Sequence, residues 1–452
     1  MNTDNELDRI VQGFLEDRVA APPRPDVLRD TLARTAVTPR TRRRFLGRWL
    51  DRDEGAGRRT SEHDHPPNTH RRNRLMFSAT GVIAALAILA LSANVIDSEP
   101  LPQNQAGVTH VVAASGAGEF DTIGAAVDAA SDGDTISIQP GTYTESVIID
   151  KDLTLAGDGP RQDIVVAIPE DGPLIQTADR PIHYAFHLIG ADVSVGDLTI
   201  TGSGQRTIAV VAEGGRPTIH DLSVEFGQLT AWPRSFAFVG DGADATVRDN
   251  VANALLGVDA SVAMVSGNVT TGPDTVNGLV VWVSGAADVE VAGNRLNGVV
   301  VESGTVRIDS NELFAPDACA VDISGAETTV TAVGNIIRDS ESGICASGRT
   351  TATIESNDVS SSGTGISLGS DGVTVSSNEV HANDVGILFR VGSPIVDGNT
   401  VTRNRVGLAF GSLPAAPLLK GNELCENEQD LEAPEGVEPP SLGGNMVCQQ
   451  SE

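Results

Sequence analysis

Carboxylates are the most abundant chemically capable groups in this chain: of 452 residues, 61 are Asp or Glu, against 31 Lys or Arg. Two carboxylates about 5 Å apart on neighbouring strands would suit a retaining glycosidase. With so many acids such pairs arise by chance, and the sequence singles none out. G-x-S-x-G occurs once, at Gly365–Gly369 inside the repeat, with no helix pattern after it to make a nucleophile elbow, and there is no H-E-x-x-H zinc helix and no Gly-rich phosphate loop. Asp-Gly pairs at Asp132, Asp158, Asp241 and Asp371 lack a calcium-loop spacing and read as turns. His63, His65 and His70 stand in a charged stretch without carboxylate or Cys spacing for a metal. No catalytic residue, metal or cofactor is assigned.

One surface group is more specific. In Gly278-Leu279-Val280-Val281-Trp282, alternation buries Leu279 and Val281 and turns Val280 and Trp282 outward. Aligning Gly298-Val299-Val300-Val301-Glu302 below it sets Val300 beside Val280 and Glu302 beside Trp282. An indole next to a carboxylate makes a sugar platform, the ring stacking and the acid accepting hydroxyl hydrogens. A covering loop, such as the aromatic stretch 232–238, is the competing reading, and only 16 aromatic residues in the chain argue against a dedicated polysaccharide binder.

The elements that hold these residues are set by a beat. Asn335, Asn357, Asn378, Asn399 and Asn422 each begin an N-x-[VIL] word, and Gly343, Gly365, Gly386 and Gly407 keep the same spacing of 21–23 residues. Strand formers repeating at roughly 20–25 residues mark a solenoid whose coils must stack to bury their apolar faces. At about 4.8 Å per coil with several strands per turn, this is an all-β, right-handed parallel β-helix over 108–424, of roughly a dozen coils. The asparagines are expected to form a hydrogen-bonded ladder at corners they help turn, and the glycines to supply tight bends with positive φ. Weaker copies at Asn250, Asn268, Asn294 and Asn311 are spaced unevenly, which predicts loops of variable length on one flank. Longer excursions are expected near 160–190 and 225–250.

All four cysteines fall in the outer part of the chain. Cys425 and Cys448 bracket the tail 425–452, and a disulfide between them would tie down the end cap. Aligning Ala320-Val321 with Gly343-Ile344 puts Cys319 three residues out of column from Cys345. That is about 10 Å along a straight strand, beyond disulfide reach, so without a bulge this pair is expected to stay reduced.

Residues 75–96 contain no charge and are long enough for a transmembrane helix. Arg71, Arg72 and Arg74 precede them and no Lys or Arg follows until Lys151, which orients the N-terminus to the cytoplasm and the β-helix outside. Residues 1–74 hold 16 Lys/Arg and 12 Asp/Glu, leaving 15 against 49 for the remainder. So acidic a domain repels nucleic acid and resists edge-to-edge association. Residues 1–50 read as a helical cytoplasmic segment, with Leu7, Ile10, Val11, Phe14 and Leu15 on one stripe. Residues 51–74 read as a disordered basic linker, and 97–107 as a second linker.

Two resemblances add to this reading. The words L-D-R-x-x-x-x-[FW]-L-E at Leu7–Glu16 and P-D-x-L-x-D-x-L-A-R-T-A at Pro25–Ala36 resemble the cytoplasmic N-termini of single-pass proteins related to anti-sigma factors. The zinc-binding His and Cys pattern of that family is absent. The stretch 109–159, with G-x-F-x-T-I-x-x-A-V-x-A-A at Gly118–Ala130 and P-G-x-Y-x-E at Pro140–Glu145, resembles the N-terminal cap of the pectin-lyase-like superfamily. That resemblance implies a capping helix with Ile123, Ala126, Val127 and Ala130 on one face. The superfamily's esterase, polygalacturonase and pectate lyase words are all missing, so no catalytic residue carries over. The Asn–Gly beat is similar to that of non-catalytic NosD-type β-helix proteins. The expected function is therefore binding or scaffolding at the cell envelope, toward an envelope or extracellular polysaccharide. A lyase, hydrolase or esterase with a diverged site is the alternative.

Overall fold

The computed structural model describes residues 107–448, except 177–180, 203–205, 227–234, 272–277, 327, 412–414 and 438. The expected cytoplasmic segment, the membrane helix at 75–96 and Trp232 lie outside the described residues. Among those described, no helix is long and apolar enough to cross a membrane.

The chain winds so that each turn lays one strand in each of three sheets, and neighbours along every sheet come from successive turns. The first sheet runs from Thr109–Val112 to Leu418–Lys420, the second from Gly141–Thr144 to Met446–Val447, and the third from Val147–Ile149 to Gln429–Glu432. Every pairing on this path is parallel; among the described residues a single antiparallel pair joins Leu174–Ile175 to the strand Ile182–Ile189. With 14 strands in a sheet, the solenoid has about fourteen turns, more than the dozen the beat suggested. The early turns hide it, because Leu198 and Leu222 hold the corner column that asparagine occupies later.

Alternation builds the core. One inward column of the first sheet reads Ile136, Leu155, Val195, Ile219, Val247, Val265, Val291, Ile308, one residue per turn, all buried. Continuous aliphatic stacking of this kind is what a coil too short to fold alone contributes to its neighbours. The open N-terminal end is closed by the helix Ile123–Ala129, which buries Ile123, Ala126 and Val127. Glu145 accepts from the Ile123 and Gly124 amides, both at 2.9 Å, at the helix N-terminus. Lys151 donates to the Val127, Asp128 and Ala130 carbonyls at its other end. Opposite charges thus meet the helix dipole at both ends, which gives Glu145 of the P-G-x-Y-x-E word a structural task.

The asparagine ladder is present and longer than the beat showed. From Asn250 through Asn268, Asn294, Asn311, Asn335, Asn357, Asn378, Asn399 and Asn422 to Asn445, each Nδ2 donates to the next Oδ1 at 2.8–3.0 Å. The left-handed conformation, however, belongs to the residue before each asparagine, such as Asp249, Ser310, Ser356 and Ser377. The beat glycines are also needed for a different reason than expected. Their φ is not positive; a Cβ on Gly365 or Gly386 would lie 2.6 Å from a carbonyl oxygen of the next turn. Close approach between coils, not a tight bend, excludes a side chain there. A second, unexpected ladder joins Asn383, Asn404 and Asn427 at the corner between the second and third sheets.

Both cysteine pairs are joined, Cys425 to Cys448 and Cys319 to Cys345. The second bond overturns the expectation that Cys319 and Cys345 stay reduced. The register is the expected one, since Val321 pairs with Ile344 and Asp322 with Cys345. The strand, however, is not straight. Ala320 and Val321 are both buried, so alternation breaks there, and Ala320 and Gly343 drop out of the pairing. The bend brings the two Cα atoms to 6.0 Å, within disulfide range.

Candidate functional site

The connections that vary most fall at the corner between the second and third sheets, although the corner between the third and first also ranges from two residues before Val262–Ser266 to seven before Leu418–Lys420. At the former corner the chain needs two residues between Val251–Ala252 and Leu255–Asp259, but nine between Val269–Thr270 and Val280–Ser284. The outer face of the third sheet lies beside these loops. In its early turns that face is covered by an apolar cluster of Ile182, Tyr184, Ile208, Val211 and Phe238, with Ile175 packed on it. Burial pushes the Tyr184 phenol up.

Further along, the same outward column passes from Phe238 to Gly257, Trp282, Val300, Asp322 and Cys345. Val280, Trp282, Val300 and Glu302 are all half-buried, but the proposed pairings need correction. Trp282 stands opposite Val300, and Val280 opposite Gly298. Continuing that register sets Glu302 beside Ser284, not beside Trp282. The alignment slipped by two residues, a shift that leaves every inward and outward assignment intact and so goes undetected by alternation. Gly278 is not the counterpart of Gly298: its Cα lies against the Asn297 amide, where a Cβ would meet Oδ1.

Trp282 therefore sits between glycine on one side and valine on the other, with carboxylates further out. Asp322 follows Val300 in its own column. Asp259, which accepts from Ser284 Oγ at 2.7 Å, and then Glu302 belong to the neighbouring outward column. The indole Nε1 is enclosed and finds no acceptor among the described residues, an uncommon state for a buried donor. Burial raises the Asp322 carboxyl above the usual carboxylate range, opposed by a hydrogen bond with Ser324. Asp322 was missed in the sequence because only its place below Val300 marks it. Glu423 approaches the sulfurs of Cys425 and Cys448, but disulfide sulfurs are not thiolate ligands, so that cluster is not read as a metal centre.

Residues 277–423 match the family described as the right handed beta helix region. No curated protein matches the chain in sequence. Among solved structures, the A-module of mannuronan C-5 epimerase AlgE6 from Azotobacter vinelandii is similar at 15% identity, covering 73% of this chain and 95% of its own, with a TM-score of 0.44. A mannuronic acid specific polysaccharide family 6 lyase from human gut microbiota is similar at 14% identity, covering 75% of this chain and 84% of its own, with a TM-score of 0.43. A pectin methylesterase solved with a hexasaccharide is similar at 17% identity, covering 51% of this chain and 79% of its own, with a TM-score of 0.28.

Proposed function

We propose that the outer face of the third sheet around Trp282 binds an extended polysaccharide, and that the chain displays this face outside the cell on a membrane anchor formed by residues 75–96. The observation that carries the binding reading is the half-buried indole of Trp282, beside the side-chain-free Gly257, with Asp322 further along its own column and Glu302 in the neighbouring one. A ring offers a stacking surface, and carboxylates accept sugar hydroxyls. A second reading, cleavage of the glycan, is favoured by Asp322, whose raised proton affinity is what a general acid needs.

A glycan-array screen of the purified chain, paired with assays for new reducing ends, tests both readings. Trp282→Ala should weaken glycan binding by about 1–3 kcal/mol, the worth of one stacked ring. Unchanged binding with a lowered melting temperature would place the ring under a loop and remove the binding reading. Reducing ends that appear with the parent chain and vanish in Asp322→Asn would favour cleavage.

A further inference from the structure

A second group of side chains lies on the outer face of the first sheet. Ser194 stands in an outward column between Thr154 and Thr218. Two residues further along the same strands, His220 is the register partner of Gly196. The His220 ring leans back over Gly196, where a Cβ would lie 2.3 Å from its Cε1. This lean places Nε2 3.1 Å from Ser194 Oγ and Nδ1 2.9 Å from Asp221 Oδ2. Asp221 occupies the left-handed corner position that precedes a new strand in coil after coil, which turns its carboxylate onto the ring. The imidazole is mostly shielded, while Ser194 is half-buried and reachable from solvent.

In the neutral imidazole with Asp221 ionised, the carboxylate only accepts, so Nδ1 donates to Asp221 and Nε2 accepts from the Ser194 hydroxyl. A serine whose proton is already directed at a base, with the base oriented by an acid, is equipped for acyl transfer and is recognised by geometry, not by chain order. Arg248 Nη1 lies 3.6 Å from the same Asp221 oxygen and 2.9 Å from Asp249, so Asp221 shares part of its charge. Arg161 Nη1 donates to the Asp221 carbonyl, holding the corner from the other side.

We propose that Ser194, His220 and Asp221 form a hydrolytic site for a short-chain O-acyl ester. Ser194 Oγ bonds to the ester carbonyl carbon and its proton passes to His220 Nε2. The bond to the alcohol breaks, and the alcohol leaves with that proton. Water then attacks the acyl-serine, giving a proton to Nε2; the acid is released and Ser194 regains its proton. The sum is ester plus water to acid plus alcohol. Ser194 and His220 are catalytic residues, and Asp221 is a positioning residue. Thr154 and Thr218, each about 4.8 Å along the sheet from Ser194, are the hydroxyl donors at hand for the oxyanion. The surrounding face carries Thr154, Thr218, Thr246 and Arg248, nothing in which a long acyl chain would be buried, so the acyl group is acetyl-sized.

The full chain is treated with a fluorophosphonate probe and assayed on p-nitrophenyl acetate and p-nitrophenyl octanoate. The probe mass should map to Ser194, and acetate should be hydrolysed at least about 10-fold faster than octanoate, because discrimination by acyl length is set by how the site accommodates the chain. Ser194→Ala and His220→Gln should each lose that hydrolysis, and Asp221→Asn should lower kcat with KM little changed. Thr353→Ala, on the same face several turns away, should hydrolyse like the parent. The proposal is overturned by absence of probe at Ser194, or by acetate hydrolysis in Ser194→Ala equal to that of the parent. A lowered melting temperature in His220→Gln without loss of hydrolysis overturns it too, leaving His220 as a strand-bracing group. Glycan binding is read separately, so failure at the Trp282 face does not touch this result.

Discussion

Replacing Asn357 with alanine removes a single amide from the middle of the long ladder. Its Nδ2 donates to the Ala332 carbonyl at 3.0 Å, to the Glu355 carbonyl at 3.1 Å and to Asn378 Oδ1 at 2.9 Å. Its Oδ1 accepts the Asn335 backbone amide at 3.0 Å and Asn335 Nδ2 at 2.9 Å. Asn335 Nδ2 keeps the Ile308 and Val333 carbonyls, and Asn378 Oδ1 keeps the Asn357 amide. The group left stranded is the buried Asn335 N–H. An orphaned buried donor costs about 1–3 kcal/mol, and the other four hydrogen bonds lost, three of which share the two Asn357 Nδ2 protons, contribute about 1 kcal/mol for each of their three protons, so the loss should be about 4–6 kcal/mol. Asn357→Asp preserves shape and both acceptor roles but sets an oxygen against the Ala332 and Asn378 oxygens, so at pH 7 it should cost at least as much. Protonation restores one donor, and the Asp variant should regain stability as pH falls. Urea unfolding gives the total. Because long repeat arrays can lose cooperativity, amide exchange should also show protection falling first on the turns that hold Asn335 and Asn378. A cost under about 1 kcal/mol for both variants would mean that stacking alone holds this corner.

Non-reducing peptide mapping should find Cys319–Cys345 as well as Cys425–Cys448. Closing loops of 26 and 23 residues should be worth about 3–4 kcal/mol each, and a reduced Cys319 in the folded, air-exposed protein would contradict the bend at Ala320. Asp322 binds its proton more tightly in the folded than in the unfolded chain. Its penalty therefore sets in as pH rises above about 3.9 and is complete above the raised folded value. Asp322→Asn should raise the melting temperature at pH 7 and leave it unchanged at pH 3; an equal or lower value at pH 7 would show the carboxylate to be stabilised by its surroundings. Protease added to intact cells should remove residues 97–452 and spare 1–74, whereas a protected β-helix would end the anchored, outward-facing proposal.

The beat of Asn and Gly made the solenoid legible because each turn repeats the same local demand: a corner amide to bond the next coil and a bare Cα where backbones approach. What it did not carry was anything that depends on comparing turns of unequal length. Alternation reports facing but fixes register only to within two residues, so Trp282 was set beside the wrong neighbour while every buried residue around it was read correctly. The Cys319–Cys345 pair failed for a related reason, since a strand that bends at two successive buried residues shortens a distance that spacing alone makes too long. The second amide ladder was hidden because Ser340 and Ser362 take its upper rungs, and a hydroxyl there bonds the turn above without repeating the letter. Ser194 and His220 are 26 residues apart, and no word in either strand points to the other. They meet because the register pairs His220 with a glycine, whose missing side chain lets the ring cross to the serine. In a solenoid, chemistry is written across the coils, and local motifs read along the chain see only the framework.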